Sequence, residues 1–116
     1  KSPKATIIDG YNAIEIRMLK LEDIFTIYVE DGKVYFQTAE EEFESKRKLY
    51  ELETLLESSF VKINKSTLVN LSKIVSIQMG IVSTPQLLLD NETTVHVSRK
   101  YFKLLKEKLM MGRENG

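Results

Sequence analysis

The sequence predicts an α+β fold made mostly of antiparallel β-strands, with one short internal helix and a second helix at the C-terminal end. Short runs of β-branched and aromatic residues recur between turn signals such as Asp31-Gly32. Two stretches place leucines at helical spacing, and the second of them closes the chain. A chain of 116 residues has the length of one domain, and it can bury an ordinary core without disulfides or metal.

Four strands are predicted to open the domain. They cover residues 5–9, 13–18, 21–30 and 34–38. Asp9-Gly10 is interpreted as the hairpin turn between the first two strands. Asp31-Gly32 joins the other two, and it is the strongest hairpin signal, because a type I′ turn needs positive φ and glycine adopts it freely.

The middle of the chain predicts a short strand and then a helix. Residues 42–45 are expected to be an edge strand, since their glutamates would protect an exposed edge from pairing. A helix is predicted from about Lys46 to Glu57. Its leucines recur on one side and are assigned to the core: Leu49, Leu52, Leu55 and Leu56.

The second half of the chain alternates apolar runs with polar turns. Apolar runs are found at residues 60–63, 68–71, 74–77, 86–89 and 94–97. The first of these runs leads into the polar turn Asn64-Lys65-Ser66, and Asp90–Glu92 is interpreted as a further hairpin turn. Ser98 lies at the N-cap position of the closing helix, which is predicted from Arg99 to about Met110.

Composition excludes several classes of protein. The absence of cysteine excludes a disulfide framework and a thiolate zinc site, and a single histidine excludes a multi-histidine metal site. There is no apolar run long enough for a membrane span and no Gly-rich phosphate loop or G-x-S-x-G motif. We therefore predict no catalytic residue, cofactor, metal or small-molecule substrate. The N-terminus lacks the features of a signal peptide, so a cytoplasmic domain is expected, which leaves open that it is cut from a longer chain.

The formal net charge of zero hides an asymmetry along the chain. Residues 1–59 carry 8 basic and 13 acidic side chains, a net charge of −5. Residues 60–110 carry 8 basic and 3 acidic side chains, a net charge of +5. A basic half is compatible with a polyanionic partner such as nucleic acid. The alternative is that these charges simply solvate the surface.

Two blocks of residues resemble the signature of LytTR-type (LytR/AgrA-like) DNA-binding domains of bacterial transcription regulators. The first block comprises Phe60, Ile63, Lys65-Ser66, Leu68-Val69-Asn70, Ile74 and Ile77, and the second comprises residues 97–101 leading into 104–109. The resemblance covers about residues 5–110, which leaves a flexible N-terminus at 1–4 and a flexible tail at 111–116. Residues 44–53 are similar to the subset of the family that lacks a receiver domain.

The resemblance implies both a fold and a function. The fold would be a set of antiparallel sheets with a small helix and a C-terminal helix, and not a helix-turn-helix. Loops on that β scaffold would bind double-stranded promoter DNA in a sequence-specific way. The implied partners are DNA with repeated half-sites, a second copy of the domain on that DNA, and, for a protein without a receiver domain, a membrane-protein regulator.

Arg99 and Lys100 are the first candidates for DNA contact. They stand in the first turn of a helix, where the dipole disfavours a cation by roughly 0.3–1 kcal/mol. A DNA phosphate bound there would reverse that penalty, and Arg99 could instead donate two hydrogen bonds to guanine O6 and N7. The alternative is a solvated surface pair. The resemblance implies that Arg99 occupies the position of a family DNA contact.

The polar turn supplies the next candidates. Lys65 can contact phosphate or guanine, Asn64 can bond a base edge or cap its own turn, and Ser66 can bind phosphate or cap locally. Which of Asn64 and Lys65 reads bases stays open. Lys62, just before the turn, and Lys33, at the tip of a hairpin that reaches toward DNA in the family, complete the predicted set. A different residue of the same stretch, Asn70, is expected to satisfy buried backbone groups instead.

The competing hypothesis is a protein-interaction module that uses the acidic half or an exposed strand edge. Salt distinguishes the two functions, because DNA affinity falls steeply as salt rises, whereas a largely apolar protein interface is far less sensitive.

Overall fold

The computed structural model describes residues 6–80 and 84–115, including their side chains as far as residue 110. Within this range the chain forms β1 (Ile7–Tyr11), β2 (Ile16–Lys20), a 3-10 helix (Leu21–Asp23), β3 (Ile24–Glu30), β4 (Lys33–Thr38), β5 (Glu42–Ser45), α1 (Leu49–Leu55), β6 (Phe60–Asn64), β7 (Thr67–Asn70), a second 3-10 helix (Leu71–Lys73), β8 (Ile74–Gln78), β9 (Gln86–Leu89), β10 (Thr94–His96) and α2 (Arg99–Asn115).

The strands form two antiparallel sheets. The larger sheet has seven strands in the order β2-β1-β5-β4-β3-β7-β6, and the smaller has three in the order β10-β9-β8. Five strands separate α1 from α2 along the described chain, so the two helices do not form a helix-turn-helix. The predicted α+β fold class, mostly β with a short internal helix and a C-terminal helix, is confirmed.

Both faces of the large sheet are covered at β7. Leu68 and Val69 are consecutive in β7, so their side chains point to opposite faces, and both are fully buried. Leu68 packs in a cluster that includes Leu52 and Leu56 at α1. Val69 packs in a second cluster with residues of the small sheet and α2, among them Leu105. The strand β7 therefore lies between two hydrophobic cores.

The predicted turn at Asp9-Gly10 is wrong, because both residues lie inside β1. Gly10 pairs with Arg17 of β2, and the turn occurs after β1, where Asn12 Oδ1 accepts hydrogen bonds from the backbone N–H groups of the two residues before β2. Glycine is required here for space rather than for a turn. A β-carbon at position 10 would lie 2.6 Å from Leu19 Cδ1.

The strand β5 has the predicted bounds, but it is not an edge strand. It pairs with β4 over four residues and with β1 at Tyr11 and Glu44. The edges of the large sheet are β2 and β6 instead. The strand β1, which forms a hairpin with β2, pairs with the side of β5 that was predicted to be an exposed edge. The strand predicted at residues 21–30 begins at Ile24, after a 3-10 turn.

Both helices differ from their predicted bounds. The first, α1, begins at Leu49 rather than Lys46 and ends at Leu55. Leu55 is 50% exposed, so it does not belong to the core as predicted, whereas Leu52 and Leu56 are buried. The second, α2, continues to Asn115, five residues beyond the predicted end at Met110. The flexibility expected of residues 1–4, which lie outside the described range, and of residues 111–116 stays a prediction.

The Asp31-Gly32 hairpin between β3 and β4 is confirmed. Both residues have positive φ, 53° for Asp31 and 77° for Gly32, as a type I′ turn requires. The strands β6 to β10 lie within two residues of the predicted apolar runs. No helix in the described part of the chain is long and apolar enough to cross a membrane.

Candidate nucleic-acid interface

The turn between β6 and β7 presents the polar residues at one end of the large sheet. Asn64 ends β6, and its Oδ1 accepts a hydrogen bond from the Ser66 backbone N–H at 2.9 Å and from Ser66 Oγ at 3.4 Å. The Asn64 side chain therefore caps its own turn. Lys65, at the tip, and Ser66 are exposed. These hydrogen bonds give the polar turn a defined conformation.

The N-terminus of α2 is fastened directly beside this turn. The backbone N–H of Ser98 donates to the Ile63 carbonyl at 2.9 Å, and the Ser98 carbonyl accepts from the N–H groups of the helix's first turn. Ile63 precedes Asn64 and Ser98 precedes Arg99, so one backbone hydrogen bond brings the two predicted sites together. Arg99 and its neighbour Lys100 are exposed.

The β3–β4 hairpin ends at the same end of the sheet. The backbone N–H of Val29 donates to the Ser66 carbonyl at 2.9 Å, so the end of β3 lies against the polar turn. Beyond it, Glu30 pairs with Lys33 across the hairpin. Lys33 is exposed, with the acidic Asp31 close by in the same turn.

Lys62 differs from the other predicted cations because it is half-buried. Its side chain is only 23% exposed, and its Nζ lies 3.7 Å from Glu53 Oε1 of α1. The same Nζ lies 5.8 Å from the centre of the Tyr101 ring of α2. Its charge is therefore shared with an acidic and an aromatic partner, and it connects three elements behind the exposed surface.

Asn70 satisfies buried backbone groups, as predicted from its place in an apolar run. It is 2% exposed, and its Nδ2 donates to the carbonyls of Leu21 at 3.0 Å and Ile24 at 2.8 Å. Its Oδ1 accepts from the N–H and the hydroxyl of Ser72. It belongs to the scaffold below the site.

The basic run Lys46–Lys48 is absent from the predicted DNA contacts. The run follows β5 directly, at the end of the sheet that also carries Lys33, because Ser45 pairs with Val34. The sequence signal for it was three consecutive cations in an otherwise acidic half of the chain.

The exposed cations at this end can donate hydrogen bonds and attract negative charge, and they outnumber the exposed acids Glu30 and Asp31. Lysine and arginine suit phosphate oxygens and the acceptor atoms of guanine, and amide or hydroxyl groups suit phosphates and base edges. Among the described residues, no group of three histidine or acidic side chains is placed to hold a metal ion. The lysine and arginine side chains at this end suit an anionic partner.

Comparison with known proteins gives the same assignment. Residues 15–110 match the LytTr DNA-binding domain family. A chain from Bacillus cereus, solved as the LytTr DNA-binding domain of a methyl-accepting/DNA response regulator, superposes with a TM-score of 0.83 at 25% identity, covering 90% of this chain and 97% of that one.

Curated relatives are named as regulators. An HTH-type transcriptional regulator of Staphylococcus aureus (strain NCTC 8325) is 31% identical over 106 residues, 91% of this chain and 72% of the relative. The sensory transduction protein LytR of Staphylococcus saprophyticus is 34% identical over 98 residues, and the match covers 84% of this chain but 38% of LytR. The chain therefore belongs to the LytTr DNA-binding domain family, and its function is DNA binding by a transcription regulator.

Proposed function

We propose that this domain recognises double-stranded promoter DNA in a sequence-specific way, through the loops at one end of its large sheet. The observation that carries the proposal is the hydrogen bond from Ser98 N–H to the Ile63 carbonyl. It joins the start of α2 to the β6–β7 turn, so that side chains from two distant parts of the chain can meet one stretch of duplex.

Arg99 and Lys100 are the central contacts in this proposal. Arg99 is exposed at the start of α2, where it can donate two hydrogen bonds to guanine O6 and N7 or bind a phosphate. Lys100 is exposed beside it and suits phosphate. A phosphate at this helix N-terminus would also compensate the unfavourable placement of two cations there.

The geometry of the turn favours Lys65 over Asn64 as the residue that reads bases. Asparagine reads adenine by using its oxygen and its NH₂ group together. The Asn64 oxygen is already engaged by Ser66, which leaves only the NH₂ group to donate. Lys65 is exposed at the tip and has its ammonium group available. Ser66 and Lys33 would add contacts to the sugar-phosphate backbone on either side.

The proposal extends to the assembly of the domain on DNA, its regulation and its location in the cell. Repeated half-sites would place two copies of the domain next to each other on DNA, and a membrane protein would regulate this transcription regulator. Binding to chromosomal DNA would occur in the cytoplasm. The domain would act by recognition alone and would not be an enzyme.

The test is a selection from a random duplex pool, followed by fluorescence anisotropy on the selected duplex at several salt concentrations. We expect one motif to be enriched and the affinity to fall steeply with salt. Arg99→Ala should cost about 1–3 kcal/mol and relax the preference at one position if Arg99 reads guanine. A loss that is uniform across sequences would assign Arg99 to phosphate, and unchanged affinity would remove it from the site.

Protein recognition is the second candidate function, and one observation favours it. The edge strand β2 and the turn before it expose three large apolar side chains: Ile14 at 88%, Ile16 at 63% and Met18 at 61%. Monomeric proteins usually protect such an edge. If no DNA motif is enriched and binding to a protein partner resists salt, this function replaces DNA recognition.

A further inference from the structure

We propose that the basic loop Lys46–Lys48, between β5 and α1, contacts the phosphate backbone of DNA and widens the interface beyond the sequence-predicted residues. The inference rests on the proposed function, and it adds a region to it. The partner chemistry is a row of phosphates on one side of the duplex.

The register of the large sheet places the loop in line with the site. Ser45, the last residue of β5, pairs with Val34, so Lys46 follows next to Lys33. Further along the same end of the sheet come the end of β3, the start of β7 and the end of β6. Neighbouring strands lie about 4.8 Å apart, so the four intervals from β5 to β6 span roughly 19 Å.

A row of this length suits a duplex better than a small anion. B-DNA presents about one negative charge per 1.7 Å of its axis, so roughly 19 Å of protein surface faces several phosphates at once. Lys46–Lys48 would then contact one flank of the site, while Arg99 and Lys100 contact the other. Lys33 and Lys65 lie between them.

The loop is held in place by its own hydrogen bonds. The hydroxyl of Ser45, which is 6% exposed, accepts from the Arg47 N–H at 2.9 Å and donates to the Arg47 carbonyl at 3.1 Å. Arg47 Nη1 donates to Asp9 Oδ1 of β1 at 2.7 Å, and Glu51 Oε1 accepts from the Lys48 N–H at 2.7 Å. A loop fixed in this way loses little conformational entropy when a ligand binds.

Two of the three cations remain available for a ligand. Lys46 and Lys48 are exposed, and neither forms an ion pair within the described part of the chain. Lys46 Nζ lies 5.0 Å from the centre of the Tyr11 ring, which limits its movement without neutralising it. Arg47, in contrast, is paired with Asp9 and serves to hold the loop. Cations that only solvated a surface would not need this support.

The experiment measures DNA binding of Lys46→Gln, Lys48→Gln and the double variant at several salt concentrations, using the duplex selected with the unaltered domain. Each phosphate contact contributes about 0.9 to the slope of log K against log salt. We expect the slope to decrease by about 0.9 in each single variant and by about 1.8 in the double variant, with the selected motif unchanged. Phosphate-ethylation interference should lose its signals on one flank only.

Lys20→Gln is the matched control, because it removes one exposed charge from a different part of the surface. Lys20 lines a cavity of about 420 Å³ together with residues of the β4–β5 turn, at the opposite end of β4 from Lys33. The slope of log K against log salt for Lys20→Gln should equal that of the unaltered domain. Steep salt dependence that is unchanged in the double variant would overturn the inference and leave the proposed function standing. Absence of salt-dependent binding by the unaltered domain would overturn both.

Discussion

At the scale of single residues, side chains of the same type take different roles according to the groups around them. Asn64 and Asn70 both accept hydrogen bonds from a serine two residues later. Asn64 does so at an exposed tip, whereas the NH₂ group of Asn70 is buried and donates to two carbonyls. The local sequence is alike, but burial makes Asn70 part of the core and leaves Asn64 in a turn at the surface.

Replacement of Asn70 should destabilise the domain strongly. Asn70→Ala removes the donors to the carbonyls of Leu21 and Ile24, and each buried group left without a partner costs about 1–3 kcal/mol. We expect the free energy of unfolding to fall by about 2–4 kcal/mol in urea denaturation. Ser72→Ala is the control, since it removes one hydroxyl and should cost less than about 1 kcal/mol. Equal losses in the two variants would contradict this role.

The ion pair between Asp9 and Arg47 should make stability depend on pH. The hydrogen bond from Arg47 lowers the pKa of Asp9 below its ordinary value of 3.8, and a hydrogen bond from Tyr11 adds to this against the opposing effect of burial. Since the folded-state pKa is lowered, the stabilisation is fully present above the unfolded-state pKa and is lost as pH falls through the folded-state pKa.

The corresponding variant is Asp9→Asn. Because the pair is partly exposed, we expect it to cost less than about 1 kcal/mol near neutral pH. The difference in unfolding free energy from the unaltered domain should shrink as pH falls below about 4. Thermal unfolding at a series of pH values measures it. A difference that stays constant down to acidic pH would show that the Asp9 charge is not its source.

At the scale of elements, the connections and contacts between strands and helices decide what the local patterns mean. Gly10 stands in a sequence that suits a turn, yet it lies in β1, where Leu19 and Phe43 leave no room for a side chain. The β5 glutamates suit an edge strand, yet β1 pairs there. In both cases the β1–β2 hairpin, packed back onto β5, overrides the local preference.

Gly10→Ala should therefore destabilise the domain by overpacking. Its β-carbon would lie 2.6 Å from Leu19 Cδ1 and 2.8 Å from Phe43 Cβ, and such crowding typically costs about 1–3 kcal/mol. Gly32→Asn is the control, because nothing lies within 4 Å of a β-carbon there and asparagine tolerates positive φ. Chemical denaturation should show a large loss for the first and a small change for the second. The reverse order would contradict crowding at position 10 as the reason for glycine there.

The contacts of Lys62 with α1 and α2 predict whether Glu53→Gln weakens or strengthens DNA binding. We expect Lys62 to fix the start of α2 through Glu53 and Tyr101 rather than to contact DNA. Glu53→Gln should then weaken DNA binding by up to about fivefold, the range of a partly exposed ion pair, in anisotropy measurements. Glu57→Gln, in the turn that follows α1, should not weaken it. If Lys62 contacts phosphate, Glu53→Gln would strengthen binding instead, because it frees the ammonium group.

At the scale of the whole molecule, the fold brings cations from both halves of the chain to one end of the large sheet. The acidic half of the chain contributes Lys33 and Lys46–Lys48 to the same end of the sheet as Lys65 and Arg99. The acidic β4–β5 turn, with Glu40, lies at the other end of β4. A domain with a formal net charge of zero can therefore present one basic end to DNA.

This arrangement predicts that local charge, and not net charge, controls DNA binding. Glu40 is separated from the basic end by the six residues of β4, roughly 20 Å, which is twice the screening length of about 10 Å at 0.1 M salt. Glu40→Gln should leave the slope of log K against log salt unchanged. Lys65→Gln, the same size of charge change, should decrease the slope by about 0.9. Effects of equal size and opposite sign in the two variants would indicate a response to net charge alone.

The sequence by itself determined the fold class, most strands, the Asp31-Gly32 hairpin and the family, because alternation, helical spacing and turn residues are local properties that a short window contains. It also singled out Arg99 and the Asn64–Ser66 turn as candidates. Tertiary structure alone decided that these two lie side by side, through the Ser98–Ile63 hydrogen bond, and that Lys62 is half-buried and paired with Glu53. It likewise decided the role of Gly10 and the place of β5 within the sheet. Each of these depends on groups far apart in the chain, and no local pattern records which distant group will fill the space beside a residue.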